Sequence, residues 1–538
     1  RTLCGLCVLA KPLGVLYRRP CRNPKPHFLL TIEIFRQIDY VYSTLSFIPA
    51  VTLTVPLAES KSKAEFEAAH CRPLAEKEEN MSAVKDLTKG SPMKLILGFM
   101  LPMLLGLLFQ QFYNMVDTIV VGQFLGVNAL AGVGSTGSVN FLVLGFCMGV
   151  CAGFAIPVAQ KFGEKDLDGL RKFVGNTIWL GIGFAAVMTT ATCLLCGNIL
   201  HWMNTPDTVF KEAYDYIFVI FLGIPVTFLY NILSGFIRSL GDSKSPVVIL
   251  IISSVLNVGL DLLFILVFDM GVAGAGWATV LAQLISGIAC LVYMIKRFDI
   301  LHLSRKDLKP DAYSMSRLCA MGVPMGLQYS ITAIGSILLQ TAVNSLGETY
   351  MAAVTAGSKV TQFLCCPFDA MGSTMATYCG QNVGAGRVDR IESGVKKCSI
   401  LGIAYAIIAL IVIIPFGGEF SKLFIDGTQT EILDLAKQFL WLNVVFYIPL
   451  AFVNIIRFSI QGLGNSQLAV FAGVFEMIAR GGVALGLVPA FGYVAVCLAS
   501  PAAWVLADLF LFPAFFHSVK ILKRRFPVKN TAVSDTED

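Results

Sequence analysis

Charge is scarce in this chain. Asp, Glu, Lys and Arg make up 14% of its 538 residues, against 56% hydrophobic ones, and the mean hydropathy is +0.72; a soluble globular domain is excluded. Histidine is scarcer still. His27, His70, His201, His302 and His517 all lie outside the centres of apolar runs, which leaves no imidazole for haem, copper or di-iron chemistry inside a membrane. The fifteen cysteines are scattered, and the one Cys-x-x-Cys (Cys4 to Cys7) sits in an atypical stretch, so neither a disulfide framework nor a zinc site is suggested. They read as small apolar residues, and no cofactor is expected.

Methionine is absent from residues 1–80, since all 17 lie at or after Met81. Those eighty residues also lack an apolar stretch of membrane-spanning length and the order of a signal peptide. They read as a non-native-looking or disordered extension. Residues 81–300 read as a first lobe, 301–525 as a second, and 526–538 as a tail.

What is present from Met81 onward is long apolar runs. Twelve are long enough to span as helices: 95–122, 130–158, 173–197, 213–237, 246–268, 272–295, 318–345, 352–378, 398–416, 435–460, 467–488 and 493–518. The expected fold is all-α: a polytopic membrane protein with twelve transmembrane helices. Lys and Arg crowd into the even loops and both ends, while the odd loops hold only Lys211, Lys422 and Lys437. The positive-inside rule then places both termini in the cytoplasm.

The two halves repeat at an offset near 221 residues. "LPMLLGLLFQQ" from Leu101 matches "VPMGLQYSITA" from Val323, "AQKFGEKDLDGL" from Ala159 matches "GQNVGAGRVDRI" from Gly380, and "SLGDSKSP" from Ser239 matches "GLGNSQLA" from Gly462. Six helices per unit is an even number, so two six-helix bundles point the same way about a pseudo-two-fold axis along the membrane normal. Two such bundles around a central cavity suit alternating access.

The acids do not repeat. Asp117 aligns near Leu339 and Asp261 near Ala484, so one half alone carries this pair. An aspartate near a bilayer centre costs several kcal/mol and is a functional candidate by default. Asn257 and Asp261 are four residues apart on one helical face, and Asn231 and Thr279 offer oxygens at comparable depth. These groups suit H⁺ or Na⁺, with Na⁺ placed at Asp117, Asn257 and Asp261; the alternative is that they only join helices by hydrogen bonds. In the second half, Glu476 and Arg480 are spaced as a self-neutralising pair. Lys359 and Asp369 each either line a cavity or snorkel. Asp369, Gln340 and Glu476 are candidates for a substrate cavity.

In this order the residues resemble the multidrug and toxic compound extrusion (MATE) transporters, over essentially all of 81–538. The likeness rests on "VDTIVVGQFLG", on Q-x-x-G-x-x-x-x-D after the second and eighth runs (Gln160, Gly163, Asp168; Gln381, Gly384, Asp389), on "RSLGDSKSP", and on the 6+6 pattern. It is nearest to the bacterial and archaeal DinF-like branch, and implies a cation site at Asp117, Asn231, Asn257, Asp261 and Thr279 and a first helix bent at Pro102. The NorM-like and eukaryotic branches carry an acid early in helix 7, whereas Gly326–Ser336 here has none. Coupling is therefore expected in the first half.

The expected function is a secondary active antiporter of the bacterial inner membrane. It would export amphipathic, cationic organic compounds in exchange for H⁺ or Na⁺, as a monomer in the lipid bilayer, without a nucleic-acid partner. The rival is a flippase for a lipid-linked saccharide or phospholipid, which would want a cavity rich in Arg and Lys. An enzyme would need a His, Asp and Ser constellation or a metal motif near one interface, and none is found.

Overall fold

The computed structural model describes residues 85–203, 205–425 and 429–526. Residues 1–80, with Cys4, Cys7, His27 and His70, lie outside them, as does nearly all of the 526–538 tail. The described residues form helices and no strand. We number twelve spans. The first half comprises α1 (Pro92–Leu125), α2 (Val127–Ser135 continuing as Gly137–Glu164), α3 (Leu167–Trp202), α4 (Asp207–Leu222 and Ile224–Ser239), α5 (Lys244–Val267) and α6 (Gly271–Arg297). The second comprises α7 (Ala312–Leu346), α8 (Glu348–Gly384), α9 (Val388–Ser421), α10 (Thr430–Val444 and Tyr447–Gly462), α11 (Ser466–Phe491) and α12 (Tyr493–Arg525).

Among the described residues nine helices are long and apolar enough to cross a membrane, and α4 and α10 do so as bent pairs, at 47° and 53°. A proline without an N–H follows each break, Pro225 and Pro449. Of the twelve, α8 alone is too polar to qualify.

The halves match element by element. A single glycine in the left-handed region joins α1 to α2 (Gly126, φ 86°) and α7 to α8 (Gly347, φ 111°); a side chain there would strain the turn. α5 and α11 each contain one π-helical turn, Leu263–Val267 and Val483–Leu487.

The helices do not keep wholly to their own half. α1 begins in the core of the second half, where Leu95, Ile96, Phe99, Met100 and Met103 pack with residues of α8 to α12, and ends in the core of the first, through Val120 and Val121. Reciprocally, α7 starts against the first half: Leu318 joins its core, and Met321 and Met325 pack on Ile156 of α2. A Cβ on Gly153 of α2 would overlap the backbone of Gly322 of α7, and one on Gly322 would overlap the Phe154 ring of α2. The halves are thus joined at the end where odd spans start and even spans finish, which is also the Lys- and Arg-rich end.

The opposite end differs. Exposed polar side chains run along α1 (Asn114, Thr118, Gln123) and α8 (Thr355, Lys359, Gln362, Asp369). The α8 residues lie on one helical face, since their spacings of four, seven and fourteen return close to the same direction. A lysine and an aspartate facing lipid would be costly, so this stripe borders water in a cleft. That accounts for the low hydropathy of α8.

Candidate functional site

Two buried carboxyls meet in the first half. Asp117 of α1 is 9% exposed and Asp261 of α5 is fully buried, and they approach closely enough for a proton on one to be hydrogen-bonded to the other. Asn257, 1% exposed, lies one turn before Asp261 on the same face. Asp117 Oδ1, both oxygens of Asp261 and both polar side-chain atoms of Asn257 have no hydrogen-bond partner among the described residues. Burying that many unpaired polar atoms is costly unless something neutralises the charge. Two carboxyls and an amide oxygen are a hard donor set that fits protons or Na⁺. The π-helical turn of α5 begins two residues after Asp261, and such wide turns recur at functional sites.

The hydroxyls of Tyr113 in α1 and Tyr216 in α4 lie within electrostatic reach of both acids. Sequence reasoning passed over both. Tyr113 had a signal, being one turn before Asp117; Tyr216 had none. Asn231 and Thr279 are half-buried, and neither is hydrogen-bonded to the carboxyl pair: the Asn231 amide donates to the Thr227 carbonyl at 2.8 Å. Pro102 sits inside α1, which is one helix from Pro92 to Leu125, at the level where α1 leaves the core of the second half.

In the second half, Asp369 faces the cleft and Arg457 of α10 lies within its electrostatic reach. Gln340 is exposed near the outer end of α7 and donates to Asn344 Oδ1 at 2.9 Å. Glu476 does not reach the cleft. It is 2% exposed, hydrogen-bonded by Arg457 and bridged by Arg480 at 3.6 Å. The i, i+4 pair is present, but the stronger contact comes from a residue that sequence spacing could not connect. Asp508 of α12, 8% exposed, lies near Arg457 and Glu476. Arg457 and Asp508 were detectable as charges inside apolar runs and were passed over.

A family model described as MatE matches residues 102–263 and again 324–484, so the same model fits both halves. The chain is 27% identical over 385 residues to "Probable multidrug resistance protein YoeA" of Bacillus subtilis (strain 168), covering 70% of this chain and 83% of that protein. It is 28% identical over 386 residues to "Probable multidrug resistance protein YpnP" of the same strain, covering 72% and 85%. Among solved structures it is similar in fold to "Outward-facing conformation of a multidrug resistance MATE family transporter of the MOP superfamily", with TM-score 0.77 and 21% identity, covering 81% of this chain and 98% of that one.

Proposed function

Because the chain belongs to the MatE family, we propose that it is a secondary active multidrug efflux antiporter, exporting amphipathic cationic organic compounds in exchange for H⁺ or Na⁺. The names of the relatives support efflux of drugs, and the orphaned carboxyl pair supports coupling to a cation. The basic end faces the cytoplasm, by the positive-inside rule, and the cleft faces outward in the cell membrane.

In this reading the coupling ion enters from the cleft and neutralises Asp117 and Asp261, with Asn257 supplying an oxygen to Na⁺, or the carboxyls themselves taking up protons. Substrate rests in the cleft beside Asp369, whose charge Arg457 tempers. Neutralising Asp117 changes what α1 can pack against, and α1 belongs to both cores, so the ion acts on the joint between the halves. Each inward cation gains about 2.3 kcal/mol per 100 mV of membrane potential. The flippase reading wants a cavity rich in Arg and Lys; Arg457 and Arg480 are paired with Glu476 and Lys359 shares its stripe with Asp369, which leaves Arg238 in the lining of the inner cavity.

Dye efflux from reconstituted vesicles, with a pH gradient or a Na⁺ gradient imposed separately, tests the proposal. One gradient should drive efflux, and Asp117→Asn and Asp261→Asn should each abolish it while the protein still inserts. Normal gradient-driven transport by both variants would overturn it.

A further inference from the structure

The Q-x-x-G-x-x-x-x-D motif occurs twice, and the coupling site uses neither copy. In the structure the two copies meet. Gln160 of α2 donates from Nε2 to the Gly462 carbonyl at the end of α10, at 3.0 Å. Gln381 of α8 donates from Nε2 to the Ser239 carbonyl at the end of α4, at 2.8 Å. Each glutamine thus reaches out of its own half to the matching helix end of the other, as a two-fold axis between them requires.

The glycines make this crossing feasible. A Cβ on Gly163 would overlap the backbone oxygen of Gln381, and one on Gly384 would overlap that of Gln160. The spacing of one turn between Gln and Gly therefore sets each helix's glycine against the other's glutamine backbone. Gln381, fully buried, also accepts the Leu87 N–H at 2.9 Å. Leu87 is itself fully buried and lies in the core of the second half, ahead of α1. Directly above lies a cavity between the halves, lined by Met103, Arg238, Met325, Ser373, Thr377 and Phe458. Thr377 is one turn from Gln381.

We infer that Gln160 and Gln381 are reciprocal latches that hold the cytoplasmic end of this transporter shut, and that both must open for the cavity above them to admit substrate from the cytoplasm. The inference rests on the transporter reading given above. A latch made of carbonyl acceptors and neutral amides carries no charge. It can therefore break and re-form in each cycle at a smaller desolvation cost than a salt bridge in the same place. Two latches on matching helix ends also make opening a concerted event of both halves.

Two cysteine reporters test it. Thr377→Cys reads the cavity from the cytoplasmic side of inside-out vesicles with a membrane-impermeant maleimide; Thr355→Cys reads the cleft from the outside of intact cells. Labelling is scored against the parent protein, so native cysteines cancel. With no ion gradient imposed, Gln160→Ala or Gln381→Ala should each raise labelling at position 377 by about two- to tenfold, the worth of the one ordinary hydrogen bond that each makes across the halves. Labelling at position 355 should fall in step as molecules leave the outward state. Unchanged labelling at 377 would overturn the latch, as would a rise at both positions, which marks general loosening. Gradient dependence is not read here, so failure of the coupling proposal would leave this result standing, and the reverse.

Discussion

Glu476 shows what residue-level contacts add to spacing. Its i, i+4 partner Arg480 could be read from the sequence, whereas Arg457 comes from another span and became visible only once α10 and α11 were packed. Removing one member of a buried charged group leaves the others unpaired, at about 3–5 kcal/mol. Glu476→Gln should therefore lower the melting temperature in detergent clearly, while replacing Glu476, Arg457 and Arg480 together by apolar residues should recover most of the loss; equal melting of the single variant and wild type would refute this account. Asp166 is a second case. It caps α3 by accepting the Gly169 N–H at 2.9 Å, and the Lys161 ammonium, then that N–H, holds its carboxyl below the usual aspartate range. A carboxyl depressed on folding stabilises above its unfolded value of about 3.9 and loses that contribution as pH falls through the folded value. Asp166→Ala should cost about 1 kcal/mol near pH 7, and its difference from wild type should narrow in melts below about pH 4. The Asp117 and Asp261 candidates were legible because lipid makes a lone acid conspicuous. The two tyrosines beside them were not, because a tyrosine in an apolar run carries no such penalty.

At the scale of elements, the apolar runs located the spans, but not their breaks or extensions. The run at 435–460 is two segments bent at 53°, and the run at 352–378 belongs to a helix extending over Glu348–Gly384. Hydropathy ends a span where polar residues begin, whereas a helix bordering a water-filled cleft continues through them. The α8 stripe is of that kind, whereas the last turn, carrying Gln381 and Gly384, continues because it packs and hydrogen-bonds against the other half. Gly384→Ala tests the crossing of α2 and α8 as a steric matter. Its Cβ would meet backbone rather than a flexible side chain, so the cytoplasmic end should fail to close, with Thr377→Cys labelling raised more than by Gln160→Ala and efflux reduced about tenfold or more. Near-normal efflux by Gly384→Ala would mean that the close approach is not needed in the cycle.

Across the whole molecule the repeat was legible as paired stretches at one offset, and the paired bends, π-helical turns and single-glycine links are its physical form. The exchange of helix starts, α1 into the second core and α7 against the first, was not legible, because it depends on contacts between residues far apart in the chain, such as Met321 with Ile156. In the antiporter proposed above, that exchange would supply the coupling. The carboxyl pair lies on the outer part of α1, and the same helix's inner part is packed in the other half, so a cation taken up at Asp117 would bear on the fit between halves. Two ligands acting on one equilibrium must affect each other equally. Substrate affinity of the purified protein should therefore weaken as the coupling ion is added, and ion affinity should weaken by the same factor as substrate is added, within about 5- to 150-fold for ordinary coupling energies. Titrating a fluorescent substrate at several Na⁺ concentrations and at several pH values would also identify the coupling ion. Asp117→Asn and Asp261→Asn should bind substrate with an affinity that no longer responds to that ion. A wild-type affinity indifferent to both ions would place the coupling outside this carboxyl pair.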